Sequence, residues 1–192
     1  LLDGLNDKQR DAVAAPLQNM LVLAGAGSGK TRVLVHRIAW LMQVEQASAY
    51  SIFAVTFTNK AAKEMRTRVE QALQAPVGGM WIGTFHGLSH RILRAHHREA
   101  NLPEAFQILD SDDQRLLKAM NIDDKKWPAK QFGWYISAKK DEGLRPKDIQ
   151  AYDINEQMML KVYTAYQEAC DRAGLVDFAE ILLRSFEVLK NN

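Results

Sequence analysis

Residues 20–34 read Met20-Leu21-Val22-Leu23-Ala24-Gly25-Ala26-Gly27-Ser28-Gly29-Lys30-Thr31-Arg32-Val33-Leu34. A short apolar run is closed by glycines, and a basic-hydroxyl pair then opens a helical pattern. Met20 to Ala24 is predicted as a short buried strand. Lys30 to Met42 is predicted as a helix with Val33, Leu34, Ile38 and Leu41 on one face. Between them, Ala24, Gly25, Ala26, Gly27, Ser28, Gly29, Lys30 and Thr31 form a phosphate-binding loop pattern. Small residues are needed there so that successive backbone N–H groups can point at phosphate oxygens at a helix N-terminus. Lys30 would reach the β- and γ-phosphates of a nucleotide, and the Thr31 hydroxyl would hold Mg²⁺. The usual pattern opens on glycine, and Ala24 stands in its place.

Outward from the loop, the pattern repeats. Ile52 to Phe57 reads as a buried strand, Asn59 to Leu73 as a helix, Met80 to Gly83 as a third strand and Phe85 to Arg98 as a third helix. This alternation predicts an α/β fold with a parallel sheet and crossover helices. On the N-terminal side, residues 5–14 read as a short helix capped by Asn6, with Gln9 at the capping-box position. After about residue 100 no further clear strand is expected. Segments around 111–120, 129–140 and 155–173 look helical, broken by Trp127-Pro128 and by the turn Asp141-Glu142-Gly143. Gly174 suits the C′ position of the last of these. Asp177, with Glu180 three residues on, is expected to cap a final helix. Residues 1–84 are therefore assigned to the sheet domain, 85–176 to a mostly helical insertion and 177–192 to a return into the sheet domain.

Composition narrows the class without fixing it. The chain has 192 residues, 47% hydrophobic and 25% charged, which is ordinary for a globular protein. A net charge of +2 neither demands nor excludes a nucleic-acid partner. The single cysteine, Cys170, leaves no internal disulfide framework and fits a reducing compartment. No apolar run reaches membrane-spanning length, and the N-terminus lacks a signal pattern, so the expected location is cytoplasmic with no membrane partner.

Ligands of open parallel sheets collect at the carboxyl ends of the strands. Two further polar clusters fall there: Thr56-Phe57-Thr58-Asn59-Lys60 and Thr84-Phe85-His86. Rings that stack bases, beside groups that meet phosphates, suit single-stranded nucleic acid. The alternative is that both phenylalanines are core residues and their polar neighbours cap helices. The following helix carries His86, His90, Arg91, Arg94, His96, His97 and Arg98, a face that could track a phosphate backbone or lie solvated. His86 and His90 have the i, i+4 spacing of a zinc pair, but no third ligand is evident. Gln9 could read adenine or simply cap its own helix, and Arg32 could lie on a base or in solvent. Trp127, Trp134, Tyr135, Met158, Met159 and Tyr163 are read as core.

Taken together, these residues resemble the UvrD/Rep/PcrA-type superfamily 1 DNA helicases. Val22 through Leu34 is similar to their P-loop, which commonly opens on alanine. Ala54 through Ala62 resembles their motif Ia, Gly83-Thr84-Phe85-His86-Gly87 their Thr-Phe-His motif, and Leu5 through Gln9 their Q motif. Leu175-Val176-Asp177-Phe178-Ala179-Glu180 is similar to the segment where their chain returns from the helical 1B subdomain to the RecA-like motor domain 1A. The resemblance implies a P-loop NTPase, RecA-like in fold, acting as an ATP- and Mg²⁺-dependent 3′→5′ DNA helicase in nucleotide excision and mismatch repair, with repair proteins as partners. It implies that Gln9 reads adenine, that Arg32 packs against it, and that Phe57, Thr58, Asn59, Lys60, Thr84, Phe85 and His86 line a single-strand path. Subdomain 1B would lie near the junction of single- and double-stranded DNA.

Two departures bear on activity. The family's Asp-Glu-x-x box follows the segment resembling Asp177-Phe178, and no such box occurs before Asn192; nor does a second RecA-like domain. Residues 110–116 also run shorter than in relatives. The expectation is weak binding of nucleotide and DNA by this chain, without hydrolysis or unwinding. A different P-loop enzyme, or a nucleic-acid-binding module with a vestigial loop, is the alternative.

Overall fold

The computed structural model describes residues 1–109 and 128–191. The helix expected over 111–120, the short stretch 110–116 and Trp127 lie outside the described residues. The chain divides into two compact units, Leu1–Leu88 and Ser89–Asn192.

The first unit orders α1 (Asp7–Ala14), α2 (Lys30–Gln43), β1 (Phe53–Thr56), α3 (Asn59–Leu73) and β2 (Trp81–Thr84). β1 and β2 pair in parallel from Phe53 opposite Trp81 to Thr56 opposite Thr84, with α3 as the crossover. Val35 and Ile38 of α2, Met65 and Val69 of α3, and Ile52, Ala54 and Ile82 of the strand region close one core. A second core joins α1 to α2 through Leu5, Val13 and Val33.

Three expectations are revised here. Met20 to Ala24 is neither a strand nor buried: Leu21 is 81% and Leu23 84% exposed. The described sheet of this unit contains β1 and β2, and residues 20–24 join neither of its edges. The buried face of α2 is also wider than the predicted stripe, because the helix packs against both α1 and α3. Val33, Val35, Ile38 and Ala39 are buried, while Leu34 is exposed. The strand expected over 52–57 is shorter, with Phe53 outside the core.

In the second unit, described from Ser89, α4 (Phe85–Ala95) continues from the first, followed by β3 (Gln107–Ile108), α5 (Ala129–Asp141), α6 (Ile154–Ala173), β4 (Leu175–Val176) and α7 (Phe178–Asn191). β3 and β4 form a two-residue parallel ladder, against the expectation of no strand beyond residue 100. Two residues carry no readable alternation, so sequence periodicity cannot reveal them. Phe132 and Ile136 of α5 pack on Val162, Tyr163, Tyr166 and Cys170 of α6. Tyr163 is fully buried as expected, and Tyr135, Met158 and Met159 pack at its margin. Trp134, expected in the core, is 64% exposed, because it sits two positions from Phe132 and hence across the helix. Gly174 ends α6 at φ +65°, where a side chain would meet Pro103 at 2.7 Å.

α7 is fastened by buried charge. Asp177 accepts from the Glu180 N–H at 2.7 Å, as a capping residue does. The Glu180 carboxylate does not complete the box. It faces Lys140 at 3.0 Å, Arg145 at 2.8 Å and Arg184 at 2.7 Å. Lys140 also meets Asp177 at 2.5 Å, and Arg184 meets Asp171 at 2.7 Å. No helix among the described residues is long and apolar enough to cross a membrane.

Candidate phosphate loop and strand-end clusters

The loop 24–31 enters α2 through Gly29, which caps the helix at φ +86°, a left-handed conformation that favours glycine. Gly27 is also left-handed at φ +74°, and a Cβ at Gly25 or Gly27 would meet nothing within 4 Å. The loop thus presents bare backbone to open space, at the N-terminus of a helix of 14 residues. The Lys30 ammonium turns back into it, donating to Ala24 O at 2.9 Å and Gly25 O at 2.6 Å. The Ser28 hydroxyl donates to Gly25 O at 2.7 Å. Thr31 is exposed in the first helical turn. Open backbone donors, a cation already inside the loop and an adjacent hydroxyl fit a polyphosphate with its Mg²⁺.

Gln9 performs the cap and also reaches the loop. Its Oε1 accepts from Asn6 N–H at 3.1 Å, and Asn6 Oδ1 accepts from Gln9 N–H at 2.9 Å. Its Nε2 donates to Ser28 O at 3.1 Å. Arg32 lies over Gly4, where a Cβ would stand 2.9 Å from the guanidinium. What places α1 beside the loop is a residue the sequence reading passed over. Arg37 of α2 donates to Val13 O at 2.7 Å, Ala15 O at 2.5 Å and Pro16 O at 3.1 Å, filling the carbonyls left open where α1 ends. The readable signal was an α1 with no glycine or basic residue at its end.

The two strand-end clusters meet through their rings. Phe57 is 90% and Phe85 51% exposed, with centroids 5.9 Å apart and tilted by 54°. Neither ring is in the core. The hydroxyls beside them are helix caps: Thr58 Oγ1 accepts from Ala61 N–H and Thr84 Oγ1 from Gly87 N–H, both at 3.1 Å. Asn59 and Lys60 are exposed in the first turn of α3, and His86 is half-buried.

On the basic helix, Arg94 is committed inside its own unit. It donates to Glu104 O at 2.9 Å, Phe106 O at 2.8 Å and His90 Nε2 at 3.0 Å, and stacks over Phe106. His90 Nε2 accepts the Arg94 Nε–H, and burial, then the neighbouring Arg94 charge, push the His90 pKa down.

The sequence profile described as UvrD/REP helicase N-terminal domain matches residues 5–192. DNA helicase II of Escherichia coli is 69% identical over an alignment covering 100% of this chain and 27% of that protein. DNA helicase II of Haemophilus influenzae is 62% identical, covering 99% of this chain and 28% of that protein. The ATP-dependent DNA helicase PcrA of Staphylococcus epidermidis is 39% identical, covering 99% of this chain and 27% of that protein. The chain therefore spans little more than a quarter of the length of these relatives.

Proposed function

The chain belongs to the UvrD/REP helicase N-terminal domain family, and from that premise we propose that it is the nucleotide-binding portion of an ATP-dependent 3′→5′ DNA helicase. The observation that carries the proposal is the loop 24–31, with bare glycine backbone, Lys30 inside it and Gln9 on its Ser28 carbonyl.

ATP with Mg²⁺ supplies the phosphoanhydride whose cleavage drives a helicase. Lys30, now donating to the Ala24 and Gly25 carbonyls, would turn to the β- and γ-phosphates. Backbone N–H groups of Gly25 through Thr31 would donate to phosphate oxygens, Thr31 Oγ1 would hold Mg²⁺, Gln9 would read the adenine edge and Arg32 would lie beside it. Phe57 and Phe85 offer adjoining rings to the bases of single-stranded DNA. Thr58, Asn59, Lys60, Thr84 and His86 flank those rings.

Residues 1–84 then form the first part of a RecA-like motor domain 1A, and 85–176 a helical subdomain 1B beside a single-strand/duplex junction. The segment 177–192 leads back towards 1A. The resemblance carries the roles in nucleotide excision and mismatch repair with repair-protein partners, and the single cysteine fits a cytoplasmic setting.

In residues 1–88 no carboxylate follows β1 or β2 at its carboxyl end, where Thr56–Lys60 and Thr84–Gly87 stand. Hydrolysis needs such groups to hold Mg²⁺ and orient water. The chain is therefore expected to bind nucleotide and DNA weakly, and to leave ATP intact. Phosphate release with and without single-stranded DNA is the test. No turnover in either condition is the expected result, and DNA-stimulated hydrolysis by this chain refutes it.

A further inference from the structure

We propose that Asn6 is a positioning residue for base selection: it pins the Gln9 carboxamide in one orientation at the loop, and that orientation favours adenine over guanine. The proposal rests on Gln9 as the adenine reader and adds what aims it.

A carboxamide oxygen has two lone pairs and its nitrogen two N–H groups. In Gln9 one of each is already used. Oε1 accepts from Asn6 N–H, and Nε2 donates to Ser28 O. Turning the amide over would set N–H against N–H and carbonyl against carbonyl, so these contacts select one orientation. The Asn6 side chain does not touch the carboxamide; by accepting from the Gln9 backbone N–H it holds Gln9 where Oε1 reaches the Asn6 backbone N–H. The exchange is a reciprocal capping box between these two residues.

The helix presenting it is anchored by buried Leu5 and Val13 against Val33. The amide also sits tight on the loop, since a Cβ at Gly29 would meet Gln9 Nε2 at 2.9 Å. What Gln9 has left is one acceptor lone pair and one donor N–H in a fixed order. The adenine edge offers an N6 donor beside an N7 acceptor and matches that pair. Guanine offers two acceptors, O6 and N7, and sets one of them against the Gln9 lone pair.

The test is competition by ATP, GTP and tripolyphosphate, each with Mg²⁺, against a fluorescent nucleotide bound to the 192-residue chain. The unaltered chain is expected to prefer ATP to GTP by about tenfold, the scale of one well-placed base contact. Asn6→Ala is expected to bring the two within about threefold, with tripolyphosphate affinity held within about twofold. Asn6→Asp, an equally good cap, restores the preference. Gln9→Glu keeps the capping box but cannot donate to Ser28 O, and it too loses the preference.

Asn6→Ala with the full preference, beside a Gln9→Glu that loses it, overturns the positioning role and leaves Gln9 as the reader. If both variants keep the preference, or the unaltered chain has none, the adenine reading fails and the proposal fails with it. If Asn6→Ala weakens ATP, GTP and tripolyphosphate alike, Asn6 serves only the helix, and the proposal is overturned. Absence of tripolyphosphate binding to the unaltered chain overturns both this proposal and the nucleotide-binding reading.

Discussion

Glu180 shows how much one residue can hold. Burial would raise its pKa, but Lys140, Arg145 and Arg184 outweigh burial and bring it down to about 2. A carboxylate held below its unfolded value of about 4.3 stabilises the fold fully above that value. The contribution is lost as pH falls from there through about 2. The pair of values corresponds to roughly 3 kcal/mol. Urea unfolding between pH 7 and pH 2 is expected to show the decline, and Glu180→Gln to flatten it. Glu180→Gln is also expected to cost about 3–5 kcal/mol at pH 7, because three cations lose their shared partner. Sequence alone offered Glu180 only as half of a capping box. Its cations come from 35 to 40 residues before it and from the next turn, a convergence no local pattern encodes. Asn6 and Gln9 were legible for the opposite reason: a capping box is written within four consecutive residues.

At the scale of elements, the helices fall close to where the sequence placed them. Asn59–Leu73 and the Gly174 stop fall where the sequence put them. β1 and β2 lie within one or two residues of their expected places and pair in parallel, but the other strands do not follow the sequence, because a strand is defined by its neighbour. Residues 20–24 have the apolar run without a ladder, and β3 and β4 have a ladder without a pattern. The docking of α1 depends on Arg37, which holds three carbonyls. Arg37→Ala is expected to leave those carbonyls unmet and to raise amide exchange across Asp7–Ala14 by an amount equivalent to about 1–3 kcal/mol, with α3 unchanged. Gly174→Ala combines a left-handed backbone with a clash against Pro103. It is expected to lower unfolding stability by about 1–3 kcal/mol without changing the denaturant slope.

For the whole molecule, the legible part was the order of motifs, and the hidden part was what brings them together. The adjoining rings of Phe57 and Phe85 come from separate strand ends, 28 positions apart in sequence. If they form one stacking platform, Phe57→Ala and Phe85→Ala each weaken single-stranded DNA binding by about 1–3 kcal/mol. The double variant is then expected to lose less than the sum, because each ring supports the other. Anisotropy titration with a labelled oligonucleotide at fixed salt measures this.

The central claim is that the loop 24–31 is a nucleotide cradle. The most direct measurement is an amide NMR titration of the 192-residue chain with ATP and Mg²⁺. The account predicts the largest shifts at Gly25, Gly27, Gly29, Lys30 and Thr31 and at the Gln9 side-chain amide, with none of them in Lys30→Ala at the same concentration. An unchanged spectrum at saturating ATP, or the same shifts in Lys30→Ala, would contradict it.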